Sequence, residues 1–257
     1  MSIELPKEAR ALAIASIERW FQTERDERVG NITAGALLDQ LRAIYNGVDP
    51  VRFAPGKTRM AIAGSPCNGP ALWLVGTVGR MQTAKAQPLL AQAFVAALQQ
   101  QPGLRRTLRL VMVGDGPMRA ECQAVLQSAG MTDLAWQPGE RTDVPDAMRG
   151  LDCLVLPSLA EGISNNILEA MACALPVIAT DVGANAELVV HRKSGEIVTA
   201  ADAHALAQAL LRVACDPGAA IEAGRFGRQQ VERRFGLPAM VAAFEDAYAS
   251  VLMRGVA

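Results

Sequence analysis

Two glutamates, Glu161 and Glu169, stand either side of a small polar turn in the run Glu161-Gly162-Ile163-Ser164-Asn165-Asn166-Ile167-Leu168-Glu169. The second glutamate falls inside a stretch with helical character, and the helix starts near Ser164. A helix N-terminus offers free N–H groups and the positive end of a dipole, which suit a pyrophosphate. Glu169 lies about five residues further on, on the order of 7 Å along the axis at ~1.5 Å per residue. That separation matches the reach from a pyrophosphate to ribose hydroxyls and leaves Glu161 near a sugar. An acid on a loop, a helix N-terminus and an acid on that helix can together hold a nucleotide sugar. Outside this run an E-x7-E spacing would be weak, and the two acids would read as surface residues.

The elements around this run alternate. Apolar strands are expected at 72–79, 108–114, 134–137, 152–158, 176–180 and 195–198. Helices are expected at 87–100, 117–129, 143–149, 164–173 and 185–190, then at 202–214, 219–234 and 238–253. Strands that alternate with helices, and that are apolar throughout, predict an α/β fold with a doubly wound, Rossmann-like parallel sheet covered on both faces. Ligands of such sheets bind beyond the carboxyl ends of the strands. Gly79-Arg80, Gly114-Asp115-Gly116, Gly139-Glu140-Arg141 and Glu161 all fall there. Gly114-Asp115-Gly116-Pro117 fits either a plain strand-to-helix turn, with Pro117 at the first helical position, or a close approach to a ligand. It lacks the third glycine of a dinucleotide fingerprint. Ahead of the sheet, 7–28 reads as an amphipathic helix. Residues 44–50 read as a short strand entering an Asn-Gly turn, and 54–70 as loop.

Composition narrows the classes. The chain has 257 residues, 51% hydrophobic and 20% charged, with a net charge of −1. A sizeable core is expected, and no basic field draws the chain to nucleic acid. An aromatic content of 4% argues against a base-stacking platform. None of the five cysteines forms a C-x-x-C pair, and Cys153 and Cys173 sit in apolar runs as expected buried thiols. A reducing, cytoplasmic setting fits. The N-terminal stretch lacks the pattern of a signal peptide, and no apolar run approaches the ~20 residues that span a bilayer. Membrane contact, at the inner face, would be peripheral.

At five segments the sequence resembles the C-terminal, donor-binding half of the retaining family 4 glycosyltransferases of GT-B type. The segments are IYNGVDPVRFAPG (44–56), VGRMQTAKAQPLL (78–90), LVMVGDGPMRAE (110–121), DCLVLPSLAEGISNNILEAMACALPVIATDVGANAELV (152–189) and SGEIV (194–198). The subgroup it is most similar to makes bacterial exopolysaccharide, including exosortase-associated transferases. The resemblance implies transfer of a sugar from a nucleoside diphosphate sugar to a saccharide or lipid-linked acceptor, with retention and with neither metal nor cofactor.

It also implies roles. Arg80 and Lys85 match the pair that contacts the donor diphosphate, and Glu161 matches the acid that hydrogen-bonds sugar hydroxyls. Gly162, Ile163 and Ser164, with Asn165 beside them, match the backbone approaching sugar and phosphates. Glu169 matches the ribose acid, and Glu140 and Arg141 fall in the loop beside the base.

Three positions depart from the family pattern by an added methyl. Lys85-Ala86 stands where Lys-Gly is usual, Ala174 where Gly is usual, and Gly183-Ala184 where Gly-Gly is usual; none of these changes alone should abolish binding. The implied organisation is a helical remnant or replacement of the acceptor domain at 1–43, a linker at 44–70 and the donor domain at 71–257. The apolar residues of 1–28 imply pairing, as a homodimer or with another chain. The alternative to an autonomous transferase is a module that binds a nucleotide sugar without transferring it.

Overall fold

The computed structural model describes residues 44–254, with side chains to 249. The expected helix at 7–28 and the 1–43 segment lie outside the described residues. Residues 46–239 form one compact unit, and residues 1–45 with 240–257 form another. Of the second unit the described part is chiefly the end of the last helix.

Six strands form one parallel sheet in the order β3-β2-β1-β4-β5-β6. They are β1 (Trp73–Val78), β2 (Leu108–Val113), β3 (Ala135–Gly139), β4 (Cys153–Leu156), β5 (Val177–Thr180) and β6 (Gly195–Val198). The doubly wound α/β fold expected from the sequence is the fold observed. Helices α1 (Gln87–Gln100), α2 (Arg119–Ser128) and α6 (Ala203–Cys215) cover one face. Phe94, Leu98, Leu126, Leu206 and Leu210 there meet Val75, Leu110, Val155 and Ile178 of the sheet. Alternate strand residues such as Leu74, Leu154 and Val177 turn to the other face, as the two-residue period of a strand requires. That face carries α3 (Val144–Arg149), α4 (Asn165–Ala172) and α7 (Pro217–Gln230). A short α5 (Asn185–Leu188) follows β5, and α8 (Leu237–Arg254) ends the described chain. No helix among the described residues is long and apolar enough to cross a membrane.

Local departures from expectation have local causes. Pro138 cannot donate to a ladder, so the β2–β3 register slips between Val111↔Trp136 and Val113↔Gly139, on an edge strand where this is tolerated. Helix α2 starts at Arg119 rather than 117, because Met118 N donates to Met81 O (3.1 Å) and holds Pro117 in the preceding turn. The strand expected at 44–50 reduces to one bridge, Val48↔Gly236. Irregular residues 46–70 are fixed instead by arginines. Arg149 Nε donates to Ala54 O (2.9 Å), Arg228 Nη1 to Phe53 O (2.9 Å), and Arg59 bridges Gly69 O and the Asp152 carboxylate, each at 2.6 Å. Cys153 and Cys173 are buried as expected, together with Cys67 and Cys122, and burial pushes the Cys122 thiol up to about 11.

Two of the added methyls fall on left-handed backbone. Ala86 has φ 47° and Ala174 φ 58°. Ala174 ends α4 in a Schellman turn: its N–H donates to Met171 O and that of Leu175 to Ala170 O. An alanine there meets the Cβ–carbonyl clash that glycine avoids. Ala174→Gly is therefore expected to stabilise the fold by about 0.5–1 kcal/mol after the entropy of glycine is subtracted, roughly 2 °C in Tm. Thermal unfolding followed by circular dichroism checks it, and an unchanged or lower Tm contradicts it.

Candidate functional site

Strand order reverses between β1 and β4, so their carboxyl ends flank the crevice where such sheets bind ligands. Their shared ladder covers only Val75↔Cys153 and Gly76↔Leu154. Beyond it, Asn166 Nδ2 of α4 takes the carbonyl of Val78, the last residue of β1. Helix α4 thereby points its first turn into the gap. Its N-cap position, Ser164, is buried and makes no side-chain cap, and among the described residues the N–H groups of Asn165, Asn166 and Ile167 have no partner. Uncapped N–H groups at the positive end of a helix form a ready anion site.

Over this helix end sits an ion pair. A short helical turn, Thr83–Lys85, leads from β1 toward α1, and Leu159 N donates to Ala84 O (2.8 Å), drawing the loop after β4 against it. Lys85 Nζ lies 2.6 Å from Glu161 Oε1. The Glu161 side chain is 8% exposed and that of Lys85 30%. On the far side, Ala184 N donates to Gly162 O (3.0 Å), and Gly183 (φ 54°) approaches so closely that a Cβ would lie 2.2 Å from Glu161 O. A glycine is required there on both counts.

Glu169 lies one turn into α4, half-buried, and no partner for its carboxylate is present among the described residues. Burial raises its pKa above the ordinary value of 4.5, and the positive charge of Arg52 opposes the shift. Arg52 belongs to the segment that Arg149 pins through its carbonyl (2.7 Å). A desolvated carboxylate without donors is suited to accept from ligand hydroxyls.

The remaining predicted residues gather nearby. Gly79, Arg80, Gly114, Glu140 and Arg141 line one cleft of about 210 Å³ at the ends of β1, β2 and β3. Gly114 and Gly116 let the loop after β2 lie on the loop after β1: added Cβ atoms would fall 2.0 Å from Gly79 O and 2.4 Å from Met81 O. Arg80 and Glu140 are exposed. Arg141 is committed elsewhere, bidentate to Asp143 at 2.8 and 2.6 Å and donating to Ala63 O (3.0 Å) over the Trp136 ring. It braces its loop. Asn165 Oδ1 accepts from Asn46 Nδ2 (2.9 Å), so Asn46, read from sequence as a turn residue, reaches the first residue of α4. Ser158 and Asn166 also reach the site without a sequence signal beyond their place in the matched run. A larger cavity, about 340 Å³, lies near the amino ends of β5 and β6. Its buried Glu196 is already paired with Arg212 (2.9 Å) and Arg192 (3.4 Å).

Residues 73–216, from the start of β1 to the end of α6, match the family described as glycosyl transferases group 1. The chain belongs to this family. A relative in Rhizobium leguminosarum bv. viciae, the lipopolysaccharide core biosynthesis mannosyltransferase LpcC, is 32% identical over 211 residues. The match covers 81% of this chain and 59% of that protein. The chain thus spans about three fifths of the length of this relative. Sucrose-phosphate synthase from Thermosynechococcus elongatus superposes with TM-score 0.70 at 28% identity, over 83% of this chain and 53% of that one. HepE from Anabaena, solved in complex with UDP-glucose, superposes with TM-score 0.74 at 22% identity, over 84% and 59%; it shares the fold. Residues 3–45 match a second family, described as an uncharacterized conserved protein (DUF2164).

The buried carboxyl of Glu169 carries a pH signature. A pKa raised on folding means that the folded chain binds this proton more tightly than the unfolded chain. Its charge then costs stability above the raised value and nothing below the ordinary one. Glu169→Gln is expected to raise Tm near pH 7, with the gain fading at about pH 4. Scanning calorimetry at both pH values checks it; a gain of equal size at both, or a loss near pH 7, contradicts it.

Proposed function

We propose that this family member binds a nucleoside diphosphate sugar across the carboxyl ends of β1 and β4 and takes part in retaining transfer of the sugar. The observation that carries the reading is the uncapped N-terminus of α4, set between the Lys85–Glu161 pair and the Glu169 carboxylate, which has no partner among the described residues. The diphosphate takes the free N–H groups of α4 and the charges of Lys85 and Arg80. Both cations lie on the β1–α1 connection, where they neutralise charge developing on the leaving phosphate. The ribose hydroxyls donate to Glu169, and the sugar hydroxyls to Glu161. The base lies toward the Glu140 loop. Neither metal nor cofactor has a part in this reading. The protein contributes orientation and charge, while the leaving phosphate assists deprotonation of the acceptor on the same face.

Likeness to an LPS-core mannosyltransferase and to a protein solved with UDP-glucose supports a nucleotide-sugar donor and a saccharide or lipid-linked acceptor. Cell-surface glycan synthesis, exopolysaccharide included, at the cytoplasmic face of the membrane is the setting we propose. Pairing through residues 1–43 is part of the same proposal.

Calorimetric titration with UDP, GDP and ADP sugars tests the donor site. One nucleotide is expected to bind, roughly tenfold more weakly to Arg80→Ala and to Glu169→Ala, as the loss of a charged hydrogen bond implies. Binding unchanged in both variants, or no binding at all, rules out this site. Turnover with a saccharide acceptor separates a transferase from a module that only holds the donor.

A further inference from the structure

Glu161 accepts two hydrogen bonds on the same oxygen. Lys85 Nζ and Ser158 Oγ lie 2.6 and 2.7 Å from Oε1. Oε2 has no partner among the described residues. A carboxylate so loaded presents its second oxygen, with both lone pairs, to an incoming donor.

The two partners differ in kind. Lys85 reaches in from an exposed turn on a flexible stem. Ser158 is fully buried, and so is what holds it. Thr180 Oγ1, at the end of β5, donates to Ser158 O (2.6 Å), and Asn185 Nδ2, at the start of α5, donates to Thr180 O (3.0 Å). Ser158, Thr180 and Asn185 are each 0% exposed. A buried polar chain therefore runs from α5 through β5 to the loop that carries Glu161. Each link is hydrogen-bonded and costly to break, and Asn185 Oδ1, at the far end from Ser158, is buried without a partner among the described residues. The backbone of the loop is held by Ala184 N, which donates to Gly162 O (3.0 Å), but on the side of the Gly162 Cβ it is open, with nothing within 4 Å.

We propose that Ser158 is the positioning residue for the sugar-facing carboxylate: it fixes the rotamer of Glu161 before the donor arrives and leaves Oε2 for the sugar hydroxyls. The proposal rests on the reading that Glu161 meets the sugar. It assigns Ser158 no contact with the ligand, so its influence passes wholly through Glu161.

The test compares each of UDP-, GDP- and ADP-glucose with its free nucleoside diphosphate, by calorimetry on the full chain. Variants are Ser158→Ala, Glu161→Ala and the double variant. Ser158→Ala is expected to weaken the nucleotide sugar roughly three- to tenfold and to change free diphosphate affinity less than about twofold. In the Glu161→Ala background it is expected to have no further effect, because residues acting as one unit are not additive. Thr180→Val, which removes one link further back, is expected to act in the same direction and less strongly, and serves if Ser158→Ala does not fold. Equal losses for sugar nucleotide and free diphosphate make Ser158 a merely structural residue and overturn the proposal. So does an effect that adds fully to that of Glu161→Ala, or no effect in either Ser158→Ala or Thr180→Val. If the unaltered chain binds diphosphate but discriminates no sugar, and Glu161→Ala changes nothing, the reading of Glu161 fails and takes this inference with it. A Ser158→Ala chain identical to wild type, beside a defective Glu161→Ala, overturns this inference alone.

Discussion

β1 and β4 share a ladder over Val75↔Cys153 and Gly76↔Leu154 and then part, and the site depends on that parting. A buried parallel sheet satisfies its backbone groups by pairing, so strands that separate leave carbonyls and amides that need other partners. Here Asn166 takes the Val78 carbonyl and anchors α4 against the gap. The helix end then has to face the crevice, and its own first N–H groups are left open toward it. A strand-pairing constraint becomes an anion site in this way, before any charged side chain is considered.

Close backbone contacts hold the surrounding loops. The loop after β2 lies on the loop after β1 through Gly114 and Gly116, and the loop after β5 lies on Glu161 through Gly183. Ser158, Thr180 and Asn185 link β5 and α5 to the loop after β4 by hydrogen bonds where apolar residues would leave Glu161 unsupported, with Asn185 Oδ1 the one buried atom of the three left without a partner among the described residues. The rigidity sits in the buried parts, and the two cations, Arg80 and Lys85, sit on the more exposed turn. That division suits a donor that must be gripped by charge and oriented by fixed acceptors. The half-buried carboxylate of Glu169 shows the cost of such a design, since its charge is held away from water, with the positive charge of Arg52 opposing that cost among the described residues.

The alternation of apolar runs with amphipathic segments made the sheet, its parallel sense and its two covered faces legible in the sequence. Each of the six sheet strands found from pattern is present, because apolar runs between amphipathic segments stand out, whereas the strand read at 44–50 is only a bridge at Val48. The place of Arg80, Lys85, Glu161 and Glu169 near the strand ends was legible too, since Arg80 and Glu161 follow strands, Lys85 lies on the connection after β1, and Glu169 sits one turn into the helix after β4. Arg141 shows the limit. Its position after β3 is as read, but its guanidinium is spent on Asp143 and Ala63, a contact that bridges 78 residues of sequence. Asn46 shows the converse: a residue with a turn signature that reaches Asn165 across 119 positions.

Residue type and spacing along one chain fix which groups sit at which strand end, because the two- and 3.6-residue periods are local properties of the backbone. They fix the left-handed cost at Ala86 and Ala174 only once the turn geometry is known, since alanine carries no turn signal of its own. The tertiary structure alone decided that Glu161 pairs with Lys85 through one oxygen, that Ser158 takes the same oxygen, and that the other has no partner among the described residues. Those contacts depend on how β4, β5 and α5 converge in space. Distance along the chain holds no record of that convergence.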